Sequence, residues 1–435
     1  MKTTVLRYLT SAMLLLALAQ GAAFAQGVNR VVKDGVVYEF VQAGNNSAWK
    51  CTGYDKTDSS FPSNGIITIL SSLQVSGYDE DIPITEIVDW AFNDRNHPVD
   101  NEDINGVIIS EGIKVIGEFA FNRCVNITHI TLPSTIEKVD MGAFHCGDRL
   151  RWVDCRAVED GKWHQQLINE GVNYYGLTDY LMDLEFTLIY MKSWWTTAGT
   201  NIVIDNGSDR TCAEFHYSRN MDYCVPDGFT ASTISAVPKL AADAGAYSVC
   251  LPYSLPVPQG AKAYSLKRKD DNDVYFKLIK GDMEAFKPYL IVSPENNVQL
   301  GCNEERELPT TEDAVAQFDT ANGVTIHGTF HRIGYSEAAE NYYVLQANNE
   351  WKLVGGGNTS VTVPPYRAYL TLDGAQSASF YIGFSDETEG ISSPERTSPA
   401  DSSSGKWRTL GGQELGGKPA MKGIFIQGKR KVVNH

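Results

Sequence analysis

The chain has 435 residues, of which 37 are basic and 53 acidic, for a net charge of −16. That length predicts two or three domains. The acidic balance argues against a nucleic-acid binder, which needs a basic stripe, and favours solubility or cationic partners.

At the N-terminus, Lys2 and Arg7 flank a short apolar stretch, Leu9 to Leu18, and Ala23-Phe24-Ala25 forms an A-x-A cleavage site. This pattern is that of a secretory signal peptide over residues 1–25, with a mature chain starting at Gln26. Loss of Lys2 and Arg7 takes the net charge from −16 to −18. No later apolar run is long enough for a transmembrane helix. The expected location is exported, either on the cell surface and associated with the outer membrane, or secreted. Eight cysteines (51, 124, 146, 155, 212, 224, 250 and 302) are too sparse for a disulfide scaffold, and no CxxC pair is present. Cys212 and Cys224 lie in one turn-rich segment. A disulfide between them and two buried thiols are both open readings, the second preferred.

A motif then recurs three times: Ile84 to Phe92, Ile113 to Phe121 and Ile136 to Phe144. Each has an apolar residue, a second one three positions on, and an Ala-Phe pair after it. The pairs begin at Ala91, Ala120 and Ala143, 29 and 23 residues apart. A period of roughly 20–29 residues is that of leucine-rich repeats. Ile104, Val107 and Ile109 align with Ile127, Ile130 and Leu132, and again with Leu150, Val153 and Cys155 of a partial fourth copy. Their alternation predicts a short strand with one face inward, followed by a return leg carrying Ala-Phe. Coils of this kind bury apolar surface only against their neighbours, so the ends need caps.

The form I-x-x-I-x-L-P-x-x-I-x-x-I-x-x-x-A-F, best written by Ile127 to Phe144 with Leu132-Pro133 in place, resembles the BspA-like leucine-rich repeats of surface proteins from Gram-negative, Bacteroides-type anaerobes. Cys124 fits the cysteine position after Phe, and Cys146 comes one residue early. Val32 to Phe40 and Ala48 to Tyr54 read as two strands of a cap similar to that of the family, and Gly65 to Ile87 leads into the first coil. The resemblance covers about Val31 to Cys155. It implies a solenoid scaffold and an adhesin-like protein binding an extracellular protein from a host or neighbouring cell. Polar residues flanking the strand core, Asn126, Thr128, His129 and Thr131, are the candidate contacts.

Beyond Arg156 the repeat pattern ends. Residues 161–230 are an aromatic-rich connection with strand signals near Thr187 to Trp195 and Asn201 to Asn206. Tyr174, Tyr175, Tyr180, Phe186, Tyr190, Trp194 and Trp195 are either an exposed platform for a glycan or a core at a domain junction. From 231 to 386, nine short apolar-aromatic runs between turn residues predict an all-β, sandwich-like module. Several of its segments resemble β-rich modules appended to exported proteins of the same bacteria. Residues 387–406 form a linker rich in Ser, Pro and Glu, and 407–435 a small tail with a hairpin at Gly423 to Val433. That tail is similar to terminal sorting modules of this bacterial group, but Trp407 to Gly412 departs from their opening motif.

The fold class is therefore mainly β, a short capped solenoid followed by an all-β module. No GxSxG, HExxH or GxGxxG motif appears. Gly412 to Lys418 nearly matches a phosphate loop, but Pro419 replaces the hydroxyl residue that must reach magnesium. Asp205 to Asp209 and Asp270 to Asp273 are rich in oxygen ligands without the closing Glu of a calcium loop, and read as solvated turns. His129 and His145 read as surface or packing residues. No residue receives a catalytic, cofactor or metal role, and the expected activity is non-enzymatic protein binding. Polysaccharide capture through residues 174–195 and a structural envelope role are the alternatives.

Overall fold

The computed structural model describes residues 29–158, 186–385 and the strands between 407 and 434, apart from 43–46, 77, 94, 97–98, 147–148, 193–199, 238–245, 271–272, 294–297, 335–341, 347–349, 355–361 and 374–378. The expected signal peptide and linker, and most of the near phosphate loop, lie outside the described residues. Within them, every regular element is a strand.

The repeats wind between two sheets. Ile66–Ile69, Gly106–Ile109, His129–Thr131 and Trp152–Asp154 stack in parallel on one side. Glu86–Ile87, Val115–Ile116 and Lys138–Val139 stack in parallel on the other. A parallel stack keeps equivalent residues in line, so Ile67, Val107, Ile130 and Val153 form one buried ladder. The return legs add a second. Phe92 and Phe121 stack with centroids 4.7 Å apart, and Phe121 and Phe144 at 5.8 Å, the rings within 9° of parallel. Ala91, Ala120 and Ala143 are buried beside them. The small side chain lets the backbone turn close to the core, while the ring fills the gap between coils.

The cap has one more strand than its pattern suggests. Arg30–Lys33 and Val36–Val41 form a hairpin across Asp34-Gly35, which then pairs with Ala48–Tyr54. Asp34 and Gly35 both have positive φ (52° and 74°), the two-residue hairpin turn that Asp-Gly favours. Cys51 then joins the cap to Ile87 of the first short strand.

The repeat sheet does not end at residue 160. Leu188–Lys192 and Ile202–Asp205 extend it in parallel. Arg210–Ser218, Phe229–Val237 and Arg306–Leu308 complete nine strands. The sequence boundaries at 160 and 230 thus do not coincide with edges of this sheet, because strands without repeat periodicity still match its backbone hydrogen-bond ladder.

All nine strand signals of the 231–386 region are strands, and Phe318–Ala321 is a tenth. They form one continuous sheet rather than two. The sheet curls until Ala246–Cys250 meets Arg367–Leu372. There the Ser248 hydroxyl donates to the Ala368 carbonyl at 3.0 Å and accepts from the Ala368 amide at 3.2 Å. Leu266, Phe276, Leu290, Ile326, Trp351 and Leu370 fill the enclosed core. A further four-stranded sheet gathers Trp407–Thr409, Glu414–Leu415, Gly423–Gln427 and Arg430–Asn434.

Candidate functional site

Each repeat strand turns its middle residue inward and its neighbours outward. The register aligns Gly106, His129, Trp152 and Leu188 in one outer row, and Ile108, Thr131, Asp154 and Tyr190 in the next. The two ends of these rows differ. At the early coils the face is open, and Ile108 is 40% exposed. At the late end, Leu188 and Tyr190 are buried in a second core with Phe215, Phe229 and Leu251, and Trp152 packs against its rim. The segment around Tyr223 to Asp227, backed by Phe330 and Tyr366 of the curled module, therefore covers the later outer face, and that of the early repeats stays free.

At the border, the His129 and Trp152 rings stack 4.7 Å apart and 18° from parallel. Gly106 makes room for this stack, since a Cβ there would come within 2.3 Å of the His129 ring. Thr128 Oγ1 lies 3.0 Å from His129 Nδ1. Burial holds the His129 imidazole below its ordinary pKa. Gly106→Val is expected to displace the ring and cost about 1–3 kcal/mol, the usual result of overpacking. Urea unfolding followed by circular dichroism measures this, and an unchanged midpoint would show that the ring moves freely.

The four candidate contacts separate into two pairs. His129 and Thr131 lie half-exposed on the outer rows. Asn126 and Thr128 instead hold neighbouring coils together. Asn126 Nδ2 donates to the Glu102 carbonyl at 2.8 Å and its Oδ1 accepts from Arg149 at 2.9 Å, while Thr128 Oγ1 donates to the Asn105 carbonyl at 2.9 Å. Sequence reasoning missed Ile108, which is exposed, and the border residues Trp152 and Asp154, which pack against the second core and pair with Arg156. Their periodic positions were visible, but nothing local told which would stay uncovered.

The aromatic connection yields one clear assignment. Tyr190 is fully buried, its hydroxyl donates to the Asp227 carbonyl at 2.8 Å, and Arg156 sits 5.2 Å from its ring centre. It is thus a junction residue and not part of an exposed platform. Tyr174, Tyr175, Tyr180, Trp194 and Trp195 lie outside the described residues.

Arg156 is the hub of this junction. It pairs with Asp154 at 2.7 Å, Asp205 at 3.2 Å and Asp227 at 2.7 Å, and Asp205 also accepts from Arg210 at 2.9 Å. Burial pushes the Asp205 carboxyl up, but the Gly207 amide, Arg210 and Arg156 together bring it below its ordinary range. The oxygen-rich turn at Asp205 to Asp209 therefore uses Asp205 to bind cations of the chain itself. Of the second acidic turn, Asp270 pairs with Arg268 at 2.8 Å. Among the described residues no His, Cys, Asp and Glu group is placed to hold a metal. All eight cysteines are free thiols, Cys212 and Cys224 included. Burial pushes Cys51, Cys146 and Cys212 up to about 12, which keeps them protonated and unreactive. No helix among the described residues is long and apolar enough to cross a membrane.

Residues 82–156 match the BspA-type leucine-rich repeat region, in six copies. Solved structures with detectable similarity include a leucine-rich repeat protein from Bacteroides capillosus, 20% identical over 30% of this chain and 79% of that one, with a TM-score of 0.17. A leucine-rich cell surface protein from Faecalibacterium prausnitzii is 13% identical over 59% of this chain and 65% of its own, at 0.24. A leucine-rich repeat protein from Bacteroides ovatus is 14% identical over 44% and 48%, at 0.19. No curated protein matches the chain. The ladders of Ile67 to Val153 and Phe92 to Phe144, with the match over 82–156, make this a protein with a BspA-type leucine-rich repeat region.

Proposed function

We propose that the chain is an exported, non-enzymatic surface or secreted protein that binds an extracellular protein through the open outer face of its early repeats. The observation that carries this reading is the open stretch of the outer rows at Ile108, His129 and Thr131, bordered by the His129–Trp152 stack. A flat face built on parallel strands suits a broad partner surface better than a small molecule. An exposed isoleucine beside half-exposed aromatic rings supplies the apolar centre that such contacts need. In this reading the cap and repeats are the binding unit. The curled module and the 407–435 tail are appendages, the module bracing the late end of the repeat sheet. The A-x-A site supports export, and the match over 82–156 supports a scaffold role.

The test is binding of the mature chain, residues 26–435, to immobilised extracellular-matrix proteins and glycans, with Ile108→Glu in parallel. Protein binding weakened about thirtyfold by the substitution, some 2 kcal/mol, is expected for a central contact. Protein binding unaffected by Ile108→Glu would remove recognition from this face. Binding to glycans alone would favour polysaccharide capture.

A further inference from the structure

We propose that the open edge strand Phe318–Ala321 of the curled sheet accepts an extended peptide strand from another protein, one alternating aromatic or aliphatic residues with polar ones. The inference is independent of the repeat face.

Phe318–Ala321 is the last strand of its ten-stranded sheet, and no described strand pairs with its outer edge. It folds back on Val324–Thr329 through Asn322-Gly323, both with positive φ (50° and 75°). The Gly328 amide donates to the Gln317 carbonyl at 3.0 Å. In an antiparallel pair, bonded and non-bonded positions alternate. Asp319 and Ala321 therefore bond inward to the hairpin, and the N–H and C=O groups of Phe318 and Thr320 point out along the free edge. Those four groups are the template that an added strand uses.

The side chains say which strand fits. Phe318 ends a row of rings on the outer surface: it lies 5.8 Å from His327, which stacks on Tyr369 at 5.0 Å, which meets Tyr342 at 4.5 Å. Phe318 is 68% exposed, as is nearby Val315. A strand paired with Phe318 would place one of its side chains beside that ring and continue the row, as cross-strand neighbours do. Along the same strand runs a cleft of about 520 Å³ lined by Lys277, Asp282, Gln317, Phe318 and Asp319 among others. The residues alternating with the aromatic ones would enter this mixed-charge cleft, which calls for polar side chains of either sign. A second copy of the chain is a poorer occupant, because it carries the same net charge of −16.

The test uses the mature chain and a fluorescein-labelled peptide alternating phenylalanine or valine with threonine or serine. A control peptide carries N-methyl groups on successive residues, so that neither of its edges can pair. Binding is read by anisotropy, and the site by amide hydrogen exchange. The expected result is saturable binding of the first peptide only, with exchange at Phe318 and Thr320 slowed at least tenfold. Thr320→Pro removes an outward N–H and leaves the hairpin bonds in place, so it should weaken binding at least tenfold. Phe318→Ser should weaken it less. No binding, equal binding of both peptides, or equal binding to Thr320→Pro would overturn the proposal. So would a dimer of the unliganded chain that Thr320→Pro dissociates, since the edge would then belong to a second copy. Should Thr320→Pro fail to fold, exchange in the unaltered chain decides: slowed amides at 318 and 320 support the proposal, and unchanged ones overturn it.

Discussion

Phe121→Ala is expected to lower stability by about 3–5 kcal/mol, the usual loss when a buried phenylalanine is truncated. Phe121 is fully buried, and it is the middle ring of three. Its removal leaves a void between coils and takes a stacking partner from both Phe92 and Phe144. Stability in a solenoid is nearly a sum of neighbour interfaces, so a weak central coil separates the capped end from the rest. Unfolding in urea followed by circular dichroism would show a lower midpoint or a new early phase. A loss below about 1 kcal/mol would mean that the coils repack around the gap.

Arg156→Met is expected to cost about 3 kcal/mol at neutral pH, at the low end for breaking a buried ion pair. Arg156 is 23% exposed and Asp205 only 8%, so the substitution takes one of two cationic partners from a carboxylate with little access to water and leaves it Arg210 alone. Adding Asp205→Asn should recover part of the loss, since the buried charge goes with it. The pH dependence has a definite sign. The Asp205 carboxyl titrates below its ordinary value in the folded chain, with burial opposed by Gly207, Arg210 and Arg156. Its contribution is then complete above the unfolded carboxylate pKa of about 4 and is lost as pH falls through the lower folded value. The gap between the unaltered chain and Arg156→Met should therefore narrow in acid. Urea midpoints measured at neutral and acid pH check this, and a gap independent of pH would mean that Arg156 acts by packing on Tyr190 instead of by charge.

Both substitutions probe features of different legibility. The Phe92, Phe121 and Phe144 ladder could be read from spacing, because each coil repeats the same local contacts. So could the strands of the curled sheet, whose short apolar runs between turn residues mark them without regard to their partners. Arg156 gave no such signal. Asp154 lies two residues before it, but Asp205 and Asp227 come from a hairpin turn and a loop that only the fold brings to it. Asn126 and Thr128 looked like free polar contacts for the same reason, until the neighbouring coil supplied the carbonyls they bond.

From its own order of residues, this chain determines a repeating coil, its period, its inward ladders and the strands that follow, because those depend on contacts within a coil or between adjacent ones. The tertiary structure alone decides that the segment around Tyr223 to Asp227 folds over Tyr190, that Ile108 stays open and that the curled sheet ends at Phe318–Ala321. Which face stays in water depends on how distant segments pack across a sheet, and no local pattern encodes that.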